Sequence, residues 1–381
     1  MNAARSGAPL GALRSVAARA LRGDAALLRV PPLGAAPHAY GDLVPLGFVL
    51  LGLRTAAAAL DCTEIAAECD RVRDHLLANR SRGLWAYQSG GLETSIDSAL
   101  ILLALDDPVA VAELQRFHTG GGAYVPQLAT RDREAGKMTV RDSLQHWCRE
   151  DYTIACLVRA LRARHRLPEM TSLAVLEAGF DARSGLFLAN PYWADWALAL
   201  ALERDPAGAP LRERLRREIL ASRSPDGSFG RYDAALSSAL AILALRALGT
   251  DEAELERSLA ALADLLRRDV ALPALPFYST EQVAWSTWPP WDLLHVYSLG
   301  GAPQLIRVGG TEHAITFYRD TEGLIVNSLA VAALFGAARA PMPSGSTSRA
   351  PGHRRYACAS AGEYVAEVAL PPYLTDQAAA R

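Results

Sequence analysis

Glu93-Thr-Ser-Ile-Asp97-Ser-Ala-Leu-Ile-Leu-Leu-Ala-Leu105 and Asp233-Ala-Ala-Leu-Ser-Ser-Ala-Leu-Ala-Ile-Leu-Ala-Leu245 are two copies of one pattern. Each copy follows a Gly-aromatic turn, Gly83-Leu-Trp85-Ala-Tyr87 before the first and Gly227-Ser-Phe229-Gly-Arg-Tyr232 before the second. In both, a carboxylate opens a run that is apolar on nearly every side, and such a helix must be buried all round. A turn and a buried helix that recur together indicate an array of helical hairpins.

Weaker copies lie around these two: Cys148–Leu161, Asn190–Leu202 after Gly185-Leu-Phe187, and Thr321–Leu334. The spacing leaves room for one lost copy near residue 280. Gly120-Gly-Gly-Ala-Tyr124 reads as a further Gly-aromatic turn. Between the buried runs, Leu211–Leu220 and Glu252–Arg268 place apolar residues at three- and four-residue steps with charges on the other face, as on a surface helix. Buried and amphipathic helices in alternation predict an all-α chain, an α/α toroid with an inner ring of helices inside an outer one. An open solenoid is the alternative. Closure is favoured because the inner runs are too apolar to line an open groove.

A chain of 381 residues, half of them hydrophobic, can bury a large core. Its net charge of −2, from 39 Lys+Arg against 41 Asp+Glu, gives no reason to expect a nucleic-acid partner. Five cysteines without a Cys-x-x-Cys pair suit a reduced, cytoplasmic setting, and association with a membrane surface is left open. The organisation expected is a basic, Pro-containing segment over 1–40, the toroid over 41–338, and a linker and tail over 339–381, with 339–353 the linker and Glu363–Leu374 a short final element. The four arginines of residues 1–23 also fit a transit peptide. The apolar run Leu43–Leu53, interrupted by Pro45 and Gly47, is too short for a bilayer, which needs ~20 residues.

Asp226-Gly-Ser-Phe-Gly, Asp233 and Ser-Ser-Ala-Leu-Ala-Ile-Leu-Ala-Leu resemble the repeats of the terpene cyclase and prenyltransferase superfamily, which includes the squalene-hopene cyclases. The likeness runs over roughly residues 60–336 and implies a single-domain toroid. Class II members protonate an alkene or epoxide with an Asp-x-Asp-Asp-Thr-Ala motif at the start of an inner helix. Thr94-Ser-Ile-Asp97-Ser-Ala99 is similar to it: Asp97 takes the place of the last aspartate, Ile96 that of the protonating one, and Thr94 that of the first. The departure at Ile96 bears directly on the chemistry.

The carboxylates offer a way round it. Glu93 and Asp97 are four residues apart, hence neighbours on one helical face. Two such acids in an apolar cavity cannot both ionise cheaply, and the one that keeps its proton can protonate an alkene. The plainer reading of Thr94 and Asp97 is a helix cap, and likewise for Asp233. Asp195, between Trp193 and Trp196, is another candidate acid, as are Glu150 and Asp151. Phe277, Tyr278, Trp285, Trp288, Trp291 and Tyr297 form an aromatic stretch that Trp288-Pro-Pro-Trp291 marks as a stiff loop. Aromatic faces stabilise cations without trapping them. Trp85, Tyr87, Trp193, Trp285 and Trp288 are therefore the expected cavity lining. No Asp-Asp-x-x-Asp, phosphate loop, dinucleotide fingerprint or zinc-ligand spacing is present, so no cofactor and no metal are expected. The reading reached is a protonation-initiated isoprenoid cyclase acting on a terpenoid or prenylated small molecule. A sugar hydrolase or lyase on an α/α barrel, or a lipid- or protein-binding toroid, are the alternatives.

Overall fold

Six helices bury most of their residues, and they become the inner wall. They are α1 (Leu43–Leu60), α3 (Ser95–Leu102), α5 (Tyr152–Arg164), α7 (Tyr192–Leu202), α9 (Ala234–Ala247) and α11 (Leu324–Phe335). The computed structural model describes residues 28–29, 39–40, 43–60, 63–87, 91–128, 150–185, 187–188, 190–230, 233–268, 277–282, 304–308, 311–318, 320 and 323–336. The expectations for residues 1–23, for Trp285, Trp288, Trp291 and Tyr297, and for the linker and tail lie outside these residues.

The six helices pack in order, α1 on α3, α3 on α5, α5 on α7, α7 on α9 and α9 on α11, and α11 returns to α1. The ring is closed, not an open solenoid. Every residue of α3 is buried, and α9 buries Leu236, Leu240, Ile242 and Leu245 along its length. Each such side chain stabilises by roughly 1.5–3 kcal/mol. An exposed ion pair, such as Arg216 with Glu254 across the outer surface, contributes about 0–1 kcal/mol. Burial against the ring therefore dominates its assembly.

Amphipathic segments cover the wall. The helix α2 (Thr63–Ala78) lies on α1, and α4 (Pro108–Glu113), continued by a 3-10 turn at Leu114–Phe117, lies on α3 and α5. A short α6 (Leu173–Ala178) follows α5; α8 (Ala209–Ala221) packs on α7 and α9, and α10 (Glu252–Arg268) on α9 and α11. The last two are the segments whose periodicity predicts surface helices. In α10, Leu255 and Leu262 are buried while Glu252, Glu254 and Glu256 face water.

The repeat has a physical meaning. Gly83 and Gly227 adopt φ of +90° and +98°, a region open to glycine and costly for other residues. That turn drops Trp85 and Phe229, both fully buried, behind the inner helices. The serine at one fixed position of the pattern then ties the turn down: Trp85 N–H donates to Ser98 Oγ at 3.0 Å, and Phe229 N–H to Ser238 Oγ at 2.9 Å.

Two features depart from expectation. The interrupted run Leu43–Leu53 begins a full inner helix, because Pro45 falls in the first turn, where proline is tolerated. Its glycines serve the closure: a Cβ on Gly47 would stand 3.1 Å from Ile101 Cα of α3, and one on Gly52 only 2.8 Å from the Ser328 carbonyl oxygen of α11. The stretch read as a stiff loop with a lost repeat copy is corrected at its start. Here β3 (Phe277–Gln282), β4 (Gln304–Val308) and β5 (Thr311–Tyr318) form an antiparallel sheet in the order β3-β5-β4, with Phe277 opposite Tyr318 and Gln304 opposite Ile315. Phe-Tyr-Ser-Thr and Ala-Ile-Thr-Phe-Tyr are rich in aromatic and β-branched residues, which favour strands. A second, two-stranded pairing joins β1 (Leu28–Arg29) to β2 (Ala39–Tyr40).

Candidate active site

The inner helices run parallel, because the later residues of all six converge on one cavity: Leu51, Leu103, Ala160, Leu200, Leu243 and Ala332 line a space of ≈ 210 Å³. Around it, guanidinium groups satisfy helix C-terminal carbonyls. Arg164 donates to Leu103 O at 3.1 Å, and Arg246 to Ala333 O while also bonding Glu252. These cations answer the negative ends of the helix dipoles.

The opposite end gathers the helix N-termini and, with them, the acids. Asp151 accepts from Ile154 N–H at 2.8 Å. Asp320 accepts from the N–H groups of Leu324, Ile325 and Val326 at 2.7, 2.9 and 2.8 Å. Both are helix caps. Asp233 occupies the cap position of α9, but its side chain makes no capping bond there.

Asp97 is different. It lies in the first turn of α3 and is 4% exposed. Thr94, the cap residue with extended φ and ψ of −122° and 152°, accepts from Asp97 N–H at 3.0 Å and donates from its hydroxyl to Asp97 Oδ2 at 2.6 Å. The cap therefore reaches from backbone to carboxylate. Tyr87 is held close enough to sense that charge: burial first, then the Asp97 carboxylate, pushes its phenol above the ordinary range. Ile96, at the position where the resemblance puts the protonating acid, is buried at 3% exposure. It shares a face with Leu103, two turns on, which lines the cavity at the other end of the ring. The wall is apolar where an acid was the precedent.

The other expected residues are not brought together with Asp97 in the way their spacing suggested. Glu93 precedes the cap of α3, so the helical neighbourhood assumed for Glu93 and Asp97 does not exist. Its carboxylate accepts from Ser81 Oγ at 3.2 Å and lies 3.8 Å from Arg82 Nε. Asp195 has no exposed surface and accepts from Arg183 Nε at 2.6 Å, while Arg183 Nη2 reaches Glu218 of α8 at 2.8 Å. Phe180 stacks on both Arg183 and Arg214. Asp195, a candidate acid between two indoles, is one arm of a buried ion-pair network between inner and outer rings.

The aromatics divide likewise. Trp85 is fully buried between α2 and α3, with its indole N–H donating to Leu76 O at 2.8 Å. Trp193 meets Phe48 of α1 at 5.3 Å between ring centroids and Trp196 at 5.9 Å. Since α1 and α7 stand opposite each other in the ring order, these rings pack across its interior. Phe48, the Thr94 hydroxyl and Arg183 were missed in the sequence. Phe48 was hidden by the Pro45 and Gly47 interruptions, the Thr94 donor bond is legible only as a cap, and no periodicity marks Arg183. Among the described residues no cluster of three or more His, Cys, Asp or Glu is placed to hold a metal ion, and no helix is long and apolar enough to cross a membrane.

No protein-family profile and no curated protein matches this chain. Solved structures do. A protein from Actinoplanes is 16% identical at a TM-score of 0.58, over 86% of this chain and 98% of that one. The type II terpene cyclase MstE from Scytonema is 18% identical at a TM-score of 0.56, over 86% and 99%. A variant of MstE in complex with its substrate, geranylgeranyl dihydroxybenzoate, is 17% identical at a TM-score of 0.55, over the same shares. In its closed double ring of helices, this chain has an α/α toroid fold similar to that of MstE.

Proposed function

We propose that the protein is a class II-type isoprenoid cyclase that acts on a prenylated small molecule, with Asp97 as the proton donor. The observation that carries the reading is the position of Asp97: a buried carboxyl in the first turn of an inner helix, in a closed ring across whose interior Phe48 and Trp193 pack. The Asp97 O–H bond breaks towards oxygen, the π pair of a terminal alkene takes the proton as a new C–H bond, and a tertiary cation remains. The next alkene attacks that cation, which forms a ring. Loss of a proton from carbon to a base restores a double bond, so the sequence is a redox-neutral isomerisation. Tyr87 and Trp193 are assigned to the cavity lining, where ring faces stabilise the cation. Trp85 is bonded behind the wall and is left out.

Asp97 is favoured over Asp195, whose charge is committed to Arg183. A sugar hydrolase needs two carboxyl groups facing across a wet cleft. Among the described residues, Glu93 is held by Ser81 and Arg82 and Asp195 is buried in ion pairs, so neither supplies the second group.

The test is incubation with geranylgeranyl dihydroxybenzoate and shorter prenylated hydroxybenzoates in deuterated water. A cyclised product carrying one new C–D bond is expected from the wild type and not from Asp97→Asn, with Glu93→Gln retaining turnover. Undiminished turnover by Asp97→Asn removes Asp97 from the mechanism.

A further inference from the structure

We infer that Trp196 is a specificity-determining residue: its indole is a partition across the inside of the ring, and it limits the length of prenyl chain that is cyclised at the Asp97 end. The inference rests on the cyclase reading above for its substrate, though not for its geometry.

The six inner helices keep a common register. The cavity at one end of the ring takes a residue from each at the same level, Leu51, Leu103, Ala160, Leu200, Leu243 and Ala332. Four residues back, about one turn towards the N-termini, stand Gly47, Ala99, Cys156, Trp196, Ala239 and Ser328. Five of these six are small, so five helices send little bulk towards the axis at this level. The sixth supplies an indole. Among the described residues that line the cavity, Trp196 alone comes from this level. The rest belong to the level of Leu51 or lie beyond it, towards the helix C-termini. The indole of Trp196, 4% exposed, is therefore the inner end wall of the cavity.

On its other side the wall is backed by two more rings. Trp196 meets Trp193 at 5.9 Å between centroids, with the planes at 39°, and Trp193 meets Phe48 at 5.3 Å and 44°. Trp193 precedes Leu200 by seven residues, as Ile96 precedes Leu103, so it stands level with Ile96, the neighbour of Asp97. From that level to the cavity the helices advance by about 10 Å, at ~1.5 Å per residue. An isoprenoid whose last alkene is held at Asp97 must fold its other units above the partition, because the indole closes the way down. The space beyond is large enough to matter. At ≈ 210 Å³ it exceeds a cavity of about 150 Å³ that takes up benzene, and so has room for a five-carbon isoprene unit.

The test is a series of hydroxybenzoates carrying two to five isoprene units, with kcat/KM measured for each. Trp196→Ala is expected to raise the preference for five units over three by about 10- to 100-fold, within the range by which a hydrophobic pocket discriminates small changes in a chain. Trp196→Leu refills part of the space, persists should the alanine variant fail to fold, and is expected to move the preference the same way by about 3- to 10-fold. Ala332→Leu added to Trp196→Ala fills the cavity from another wall and is expected to reverse the gain. Xenon in pressurised crystals reads the partition without substrate: in the wild type it stays on the cavity side of Trp196, and in Trp196→Ala it reaches the level of Ile96. An unchanged chain preference in both Trp196 variants, with Asp97→Asn inactive, overturns the role of Trp196 and leaves the cyclase reading standing. If Asp97→Asn is as active as the wild type, or if the wild type cyclises no member of the series, the cyclase reading falls and the specificity role with it. Xenon that passes Trp196 in the wild type refutes the partition in either case.

Discussion

Replacing Gly52 by alanine probes the seam at which the ring closes. In an ordinary helix interior Gly→Ala is stabilising by about 1 kcal/mol, because glycine loses more backbone freedom on folding. At Gly52 the added Cβ would lie 2.8 Å from the Ser328 carbonyl oxygen and 3.2 Å from Ser328 Cα. Both obstacles are backbone, so no side-chain rotation relieves them, and α1 must move off α11 by roughly half an ångström. Overpacking of this kind costs typically about 1–3 kcal/mol. Set against the propensity gain, the net change is about 0–2 kcal/mol of destabilisation, and Gly52→Val, which adds bulk without the full gain, falls at about 2–3 kcal/mol. Gly47→Ala is the internal comparison. There the nearest atoms, at 3.1 Å, include the flexible Ile101 Cγ1 as well as its Cα, so the cost is smaller. The assay is urea unfolding followed by far-ultraviolet circular dichroism, with the midpoint read at unchanged slope. An alanine at 52 that stabilises by about 1 kcal/mol, as at any solvent-facing helical glycine, refutes the close α1–α11 seam.

Two further outcomes follow from the buried polar groups. Arg183→Met withdraws the guanidinium that Asp195 and Glu218 share, while Arg214 Nε stays 3.4 Å from Glu218, and is expected to destabilise by about 3–5 kcal/mol in the same denaturation assay; a loss below about 1 kcal/mol would mean that the network contributes little. Burial pushes the Tyr124 phenol up to about 12, with Arg162 opposing the shift. A raised folded value holds its proton where the unfolded chain has lost it, so stability present below pH ~10 is lost as pH rises towards about 12. Tyr124→Phe should flatten that alkaline decline in thermal unfolding, and an unchanged slope would count against the burial effect.

The apolar repeat was enough to read the inner helices around residues 93–105 and 233–245, since burial on all sides is a local property of composition. The Gly-aromatic turns were legible for the same reason: a glycine at positive φ and an aromatic two residues on are neighbours in the chain. The sheet of Phe277–Gln282, Gln304–Val308 and Thr311–Tyr318 was not, because pairing of its first strand joins segments far apart in the chain and leaves no local period. Nor was α1, because Gly47 and Gly52 look like interruptions until Ile101 and Ser328 are seen against them.

The candidate site divides along the same line. The sequence by itself determined that acids stand at the starts of buried helices and that an apolar residue, Ile96, precedes Asp97. What each of these acids meets was decided only in three dimensions. Asp195 meets Arg183 and Glu218, Glu93 meets Ser81 and Arg82 ahead of the helix it was thought to share, and Asp97 meets the Thr94 hydroxyl. Hydrophobic periodicity is written into consecutive residues, whereas the partner that neutralises a buried charge comes from another segment. Closure of the ring is also a tertiary decision, because it depends on α1 and α11, from opposite ends of the described chain, approaching to within the space of a missing Cβ.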